Sequence, residues 1–121
     1  MTKPTHKEIS SKIRQAREAL AKGEIAIMAP EVIAADALEL EYEIDELSDI
    51  LGTLLDLAEP VDYVGTSPPQ QSYADAIWKV DLFAFTVTSA CFGCKIYFKF
   101  ALKGDTLWLI SLHKDRAGKG G

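Results

Sequence analysis

One stretch decides the fold: Lys95-Ile96-Tyr97-Phe98-Lys99-Phe100-Ala101-Leu102, in which apolar and polar side chains alternate. Successive side chains of a strand point to opposite faces of a sheet, so alternation of this length is typical of a half-buried β-strand. One face of the predicted strand is apolar and consists of Ile96, Phe98, Phe100 and Leu102. The other face carries cations around a phenol and consists of Lys95, Tyr97, Lys99 and Lys103.

A second strand follows the turn at 103–105 and runs over 106–113. A one-residue slip moves every side chain of a strand to the other face. The turn must therefore contain an odd number of residues to bring Trp108, Ile110 and Leu112 beside the apolar face. We predict a three-residue turn, which places Ser111 opposite Tyr97 and His113 opposite Lys95. The polar face then combines His113, Tyr97 and Ser111 with the lysines.

The first half of the chain has the periodicity of helices. Apolar side chains recur on one face over 6–22, which predicts a first helix that Gly23 ends. Thr5 and Glu8 have the spacing of a capping box at its start. Further along we predict a short extended segment over 24–29, a second helix from Pro30 to about Glu39, and a third helix over 43–57 that Pro60 ends.

The second half of the chain has the patterns of strands. We predict a short strand over 62–67, a loop after Pro68-Pro69, and a longer strand over 77–87. Helices followed by neighbouring strands predict an α+β domain, with the N-terminal helices packed on one face of a C-terminal antiparallel sheet. The 121 residues fit a single domain over 1–121. Residues 117–121 are predicted to be a mobile tail.

Charge is segregated along the chain although the net charge is only −5. Residues 1–23 carry six Lys or Arg and two Asp or Glu, and residues 79–121 carry seven and three. Residues 24–78 carry thirteen Asp or Glu and no Lys or Arg. Basic ends of this kind can meet a polyanion or an acidic partner. For the acidic middle, ordinary solvation of helix surfaces is the better explanation.

Signals for a membrane or for secretion are not found in this sequence. The N-terminus lacks the charged-then-apolar pattern of a signal peptide, and no run reaches the roughly 18 apolar residues of a membrane span. We therefore expect a soluble, cytoplasmic protein. Cys91 and Cys94 are too few for a disulfide framework and lack partners for a zinc site, so we expect them to fill a loop and expect no metal or cofactor.

The residues of the polar strand face have the chemistry needed to cleave RNA without a metal. A histidine can move a proton near neutral pH, lysines can neutralise phosphate, and a phenol can donate to a phosphoryl oxygen. Together these groups can drive the 2′-hydroxyl of RNA onto its neighbouring phosphate. A solvated sheet surface with three lysines and a tyrosine explains the same pattern without any activity.

The order of elements resembles the ribonuclease toxins of the RelE-like superfamily, and most nearly the motility quorum-sensing regulator (MqsR) toxin family. The resemblance covers most of the chain. It begins with Lys3-Pro4-Thr5-His6 and the first helix and continues through Ala35-Asp36-Ala37-Leu38-Glu39-Leu40. It then includes Tyr73, Ile77-Trp78, the segment 96–100, the turn at Asp105, and Ile110-Ser111-Leu112 before a basic group.

The resemblance implies a metal-independent mRNA endoribonuclease that a cognate antitoxin protein holds inactive. Tyr97 falls on the catalytic tyrosine of the family and Lys99 on the lysine two residues later. His113 falls where the family has a lysine, so a titratable group would replace a fixed charge. Lys79 replaces a glutamine of the family, and Gly65 lies near the position of a further lysine.

We therefore predict His113, Tyr97 and Lys99 as catalytic residues, and we predict that RNA binds at Lys79, Lys95, Lys103 and Arg116. Two alternatives stay open at this point. One is a catalytically inactive module of the same fold that binds RNA or a protein. The other is a redox or metal protein centred on Cys91 and Cys94.

Overall fold

The computed structural model describes residues 6–66 and 69–115. Its helices and strands are, in chain order, α1 (His6–Ala21), β1 (Ile25–Ile27), α2 (Pro30–Leu40), α3 (Leu47–Leu57), β2 (Leu82–Ser89), β3 (Cys94–Lys103) and β4 (Thr106–Lys114). Short 3-10 turns occupy Ile44–Glu46, Pro60–Asp62 and Asp75–Ile77. Three N-terminal helices thus precede most of the sheet, and the predicted α+β class is confirmed.

The four strands form one sheet in the order β1-β4-β3-β2. The strands β2, β3 and β4 are antiparallel neighbours, and this confirms the predicted hairpin of β3 and β4. The short strand β1 pairs parallel to β4, from Ile25 opposite Leu107 to Ile27 opposite Leu109. The sheet is therefore mixed, and the prediction of a purely antiparallel sheet is wrong at this edge.

All three helices pack on one side of the sheet, which we call the helix face. Apolar side chains at helical spacing, such as Ile9, Ile13 and Leu51, are buried there against Phe85 and Phe98 of the strands. The rings of Phe85 and Phe98 stack with centroids 5.6 Å apart. Burial of such large apolar side chains is the dominant contribution to folding stability. The predicted apolar face of β3 is confirmed, since Ile96, Phe98 and Phe100 are fully buried.

The predicted helices are confirmed, with small differences at their ends. The third helix begins with a 3-10 turn, where Glu43 and Glu46 form a capping box. The predicted capping box at Thr5 involves a residue outside those that the structure describes. Within 6–66 and 69–115, no helix is both long and apolar enough to cross a bilayer.

Two predicted strand boundaries are wrong. In place of a strand over 62–67, Pro60–Asp62 forms a 3-10 turn and Tyr63 makes a single bridge to Phe85, while residue 67 lies outside the described residues. The strand predicted over 77–87 begins only at Leu82. Lys79 adopts a left-handed conformation with a φ of 62°, which interrupts an extended chain.

The predicted three-residue turn between β3 and β4 is also wrong. Lys103 pairs with Thr106, so only Gly104 and Asp105 form the turn. Gly104 has a φ of 62°, as the first central residue of a type II′ turn requires. Near the turn this register sends Leu107 and Leu109 to the helix face. Trp108, which was predicted for the core beneath the helices, lies opposite Ala101 on the other face.

A β-bulge then reverses the alternation of β4. Phe100 pairs with Leu109 but Lys99 pairs with Ser111, which leaves Ile110 as the extra residue. Ile110 is only partly buried and packs on the face away from the helices, so its predicted place in the main core is also wrong. After the bulge Leu112 is buried on the helix face, as predicted, but it lies opposite Phe98 and not opposite Ile96 as the predicted register requires. His113 lies opposite Tyr97 rather than opposite Lys95, two residues from the predicted register.

Candidate functional site

The sheet face opposite the helices, which we call the open face, is divided into two ends. One end lies at the turn between β3 and β4, and we call it the hairpin turn end. There the segment 71–80 folds over the sheet and buries Ile77 against Leu82 and Ala101. At the other end the strands present polar side chains that are only partly buried: Thr86, Tyr97, Lys99, Ser111 and His113. Apart from Thr86, the side chains of this second group belong to the polar strand face predicted from the alternation, and the group forms the candidate site.

The rings of Tyr97 and His113 stack on each other at this polar end. Their centroids are 5.0 Å apart and their planes differ by 16°. The Nδ1 atom of His113 lies 2.9 Å from the carbonyl oxygen of Lys114. A carbonyl only accepts hydrogen bonds, so Nδ1 carries the proton and donates it. In the neutral imidazole Nε2 is then unprotonated and can accept a proton from a substrate.

The hydroxyl of Tyr97 is fixed as a hydrogen-bond donor. Burial raises the pKa of Tyr97 above its ordinary value of 10.0, because a phenolate would lose hydration. The phenol therefore keeps its proton at neutral pH. It can donate that proton to a phosphoryl oxygen but cannot act as a base there.

A small cleft beside Tyr97 brings Lys99 and the loop 64–66 together. The cleft has a volume of about 120 Å³, and Gln70 and Leu82 also line it. Lys99 lies opposite Ser111 on β4. It is two residues from Tyr97 along β3, so the two side chains are on the same face of the sheet. An ammonium and a hydroxyl group thus flank the phenol on the same face. A phosphate held here would meet a cation and two hydrogen-bond donors.

Tyr63 holds the loop 64–66 that lines this cleft. Its ring packs edge-on against Phe85, with centroids 5.8 Å apart, and its hydroxyl donates to the carbonyl of Thr66 at 2.6 Å. A Cβ atom at Gly65 would lie 2.6 Å from that hydroxyl oxygen, closer than real side chains allow. Gly65 therefore has no room for the lysine that the resemblance places near it unless Tyr63 moves.

The structure brings together only some of the predicted RNA-binding residues. Lys95 is exposed on the open face, two residues before Tyr97, and lines a neighbouring cleft of about 360 Å³ with Asp62. Lys103 and Lys79 lie at the hairpin turn end instead, where Lys103 Nζ donates to the carbonyl of Ala76 at 2.7 Å. Arg116 lies outside the described residues.

The two cysteines lie in the hairpin between β2 and β3. Cys91 is exposed in the turn, and Cys94 at the start of β3 is partly buried and packs against the core. The turn is held by Ser89, whose hydroxyl accepts from the N–H of Phe92 at 3.2 Å. In the described part of the chain, no three His, Cys, Asp or Glu side chains are grouped in a way that could hold a metal ion.

Sequence reasoning missed three contributors to the site. Thr86 lies beside Tyr97 because it is the open-face neighbour on β2. Its position on the open face follows from the alternation of Phe85, Thr86 and Val87, so the sequence does contain a signal for it. Gln70 and Tyr63 come from loops whose positions no periodic signal in the sequence specifies.

Compared with known proteins, this chain matches no protein-family model and no curated protein. The resemblance to the MqsR toxins therefore stays a prediction. Any function proposed for this protein therefore depends on the geometry of the open face.

Proposed function

We propose that this protein is a metal-independent endoribonuclease that cleaves mRNA in the cytoplasm and acts as the toxin of a toxin–antitoxin pair. The observation that carries the proposal is the stacking of His113 on Tyr97, with Lys99 on the same face. Proton transfer, hydrogen bonding and charge neutralisation are thereby available within one small area. The resemblance to the MqsR family is the basis for proposing a cognate antitoxin.

In the proposed reaction, Nε2 of His113 takes the proton of an RNA 2′-hydroxyl. The 2′-oxygen attacks the adjacent phosphorus, and the bond from phosphorus to the 5′-oxygen breaks. The leaving oxygen takes a proton from water, and the imidazolium of His113 returns its proton to the hydroxide that remains. The products are a 2′,3′-cyclic phosphate and a 5′-hydroxyl end, so atoms and charge balance without an oxidant or a metal.

Tyr97 and Lys99 act on the charge that develops on the phosphate. The Tyr97 hydroxyl donates to a non-bridging oxygen, and the Lys99 ammonium neutralises the negative charge. Donors placed in advance at developing charge are usually the largest single contribution to enzymatic rate. Positioning by a sheet suits this role, because strands hold side chains more rigidly than loops do.

The test is incubation of the purified protein with a short RNA in excess EDTA. We expect cleavage that gives 2′,3′-cyclic phosphate and 5′-hydroxyl ends, identified by mass spectrometry. The same sequence made with 2′-deoxy sugars should bind but stay intact, because the nucleophile is missing. An intact RNA, both with and without ribosomes, would overturn the proposed activity.

A catalytically inactive binding module is the second candidate, and one observation favours it. The space over Gly65 is filled by the ring of Tyr63, so this wall of the cleft has no cation where the resemblance expects one. RNA binding without cleavage in the same assay would support this reading. Lack of both binding and cleavage would instead favour a role in binding protein alone.

A further inference from the structure

An exposed pair of aromatic rings lies on the segment that covers the hairpin turn end of the open face. The side chain of Tyr73 is 69% exposed and that of Trp78 is 54% exposed. Their ring centroids are 5.4 Å apart and the rings are nearly perpendicular, at 68°. A contiguous patch of exposed apolar surface can mark an interaction site. Neither ring has a role in the proposed chemistry.

The segment that carries the two rings is firmly attached to the sheet. Ile77, immediately before Trp78, is fully buried against Leu82 and Ala101. Lys103 Nζ donates to the carbonyl of Ala76 at 2.7 Å, and the N–H of Lys79 donates to the carbonyl of Ser72 at 2.7 Å. The rings are therefore held in place before any ligand binds, which lowers the entropy cost of binding.

The backbone at Lys79 supports a functional reading of this segment. Lys79 has a φ of 62°, a conformation that costs a non-glycine residue free energy. The tight return of the chain at Lys79 sets the direction of Trp78 and places a cation directly after it. Residues held in such conformations are found preferentially at ligand-binding sites.

The chemistry around the rings fits an unpaired base beside a phosphate. Lys79 and Lys103 supply ammonium groups, and Lys103 uses only one of its three N–H donors on Ala76. Asp75 and Asp81 lie in or next to the same segment, so the local charge is close to balanced. Stacking rather than phosphate attraction is then the main contribution to binding here, as on single-strand platforms built from aromatic side chains.

We propose that Tyr73 and Trp78 form a stacking platform for an unpaired base of RNA, remote from the reacting phosphate. The proposal deepens the proposed function and rests on RNA being the substrate. Lys103, which contacts the platform segment, lies six residues along β3 from Tyr97. At the rise of a strand this separation is roughly 20 Å. The platform thus anchors a single strand that runs across the open face to His113.

The test is binding of a fluorescently labelled oligoribonucleotide of about eight nucleotides, within the usual footprint of single-strand platforms. Its sugars are 2′-O-methylated so that it cannot be cleaved. We expect Trp78→Ala and Tyr73→Ala each to raise Kd by roughly 5- to 100-fold, and Trp78→Phe to restore most of the loss. The matched control is Leu38→Ala, an exposed apolar residue on α2, which should leave Kd unchanged.

Salt titrations separate stacking from phosphate contact. Trp78→Ala should weaken binding equally at all salt concentrations, because a stacked base releases no counterion. Lys79→Ala should reduce the dependence of log Kd on log salt by about 0.7, as expected for one phosphate contact to a single strand. Circular dichroism and thermal unfolding of each variant confirm that the fold is kept.

The two proposals fail in different ways. If wild type binds and cleaves RNA but Trp78→Ala and Tyr73→Ala bind as wild type does, the platform is overturned and the nuclease stands. If wild type does not bind the oligonucleotide at low salt, both the platform and the choice of RNA as substrate are overturned. Weakened binding by both ring variants, with rescue by Trp78→Phe and with Leu38→Ala unchanged, establishes the platform.

Discussion

The two faces of the sheet differ in what their side chains do, although the same strands build both. On the helix face Phe85, Phe98 and Phe100 are fully buried and stack on one another. On the open face Tyr97 and His113 are only partly buried and offer polar atoms to solvent. Consecutive side chains along β3 therefore alternate between the core, where they stabilise the fold, and the open face, where they are available for catalysis. Substitutions on the two faces should therefore change different measurable quantities.

The largest effect is expected for His113→Ala on the open face. Loss of general acid–base catalysis should lower the cleavage rate by roughly 10²–10⁴-fold, a rise of about 2.7–5.4 kcal/mol in the barrier. RNA binding and thermal stability should stay close to wild type. The matched control is His6→Ala, since His6 is the other histidine of the chain and is exposed on α1.

The cleavage rates of wild type, His113→Ala and His6→Ala, compared at one pH, check this prediction. Equal rates for His113→Ala and wild type would remove the residue from the mechanism.

On the helix face, Phe98→Ala should lower the free energy of unfolding by about 3–5 kcal/mol, because it leaves a cavity in the core. Urea denaturation gives the measurement. Lys99→Ala, the next residue on the opposite face, should change stability by less than about 0.5 kcal/mol. An unchanged denaturation midpoint for Phe98→Ala would show that the two faces have been assigned the wrong way round.

Tyr97→Phe removes a single hydroxyl from the open face and keeps the ring. Hydrogen bonds to charged groups contribute about 1.5–3 kcal/mol, so the cleavage rate should fall roughly 10- to 150-fold. Burial raises the pKa of Tyr97, which keeps the hydroxyl protonated below its ordinary pKa of 10.0. The loss should therefore be the same at every pH from 5 to 9, and a loss confined to one end of that range would contradict a donor role.

A smaller effect with the opposite sign is expected for Tyr42→Phe on the helix side. The Tyr42 hydroxyl is buried without a hydrogen-bond partner among the described residues, and burial and the nearby Asp36 raise its pKa to about 12. Removal of an unsatisfied polar group should raise the free energy of unfolding by about 1 kcal/mol. Tyr63→Phe is the matched control, because its hydroxyl donates to Thr66 and its loss should cost about 1 kcal/mol.

The smallest effect concerns the salt dependence of RNA binding. Lys95→Ala and Lys99→Ala should each reduce the slope of log Kd against log salt by about 0.7, because each removes one phosphate contact to a single strand. Arg17→Ala is a suitable control, since Arg17 lies on α1 and pairs with Asp56 at 3.5 Å. Binding that does not respond to salt would indicate that the open face meets a neutral or protein surface.

The face assignment of β3 could be read from the sequence, and so could the helices, because each depends on a local period. The same reasoning failed for β4 near the turn. For Tyr97 and His113 to lie opposite each other, an odd number of residues between them must be left without a cross-strand partner. In the structure these are the two residues of the turn and the bulged residue Ile110. Trp108 consequently lies on the open face, opposite Ala101. No local pattern distinguishes a longer turn from a shorter turn with a bulge.

What the sequence determined by itself is the alternation that places Tyr97 and Lys99 opposite the core, and with it the chemistry available to the site. What only the tertiary structure decided is how distant segments meet that face: the bulge that stacks His113 on Tyr97, the ring of Tyr63 over Gly65, and the segment 71–80 that presents Trp78. The physical reason is that side-chain direction within a strand is set by covalent geometry and backbone sterics. The register between strands and the path of loops depend instead on the packing of residues far apart in the chain.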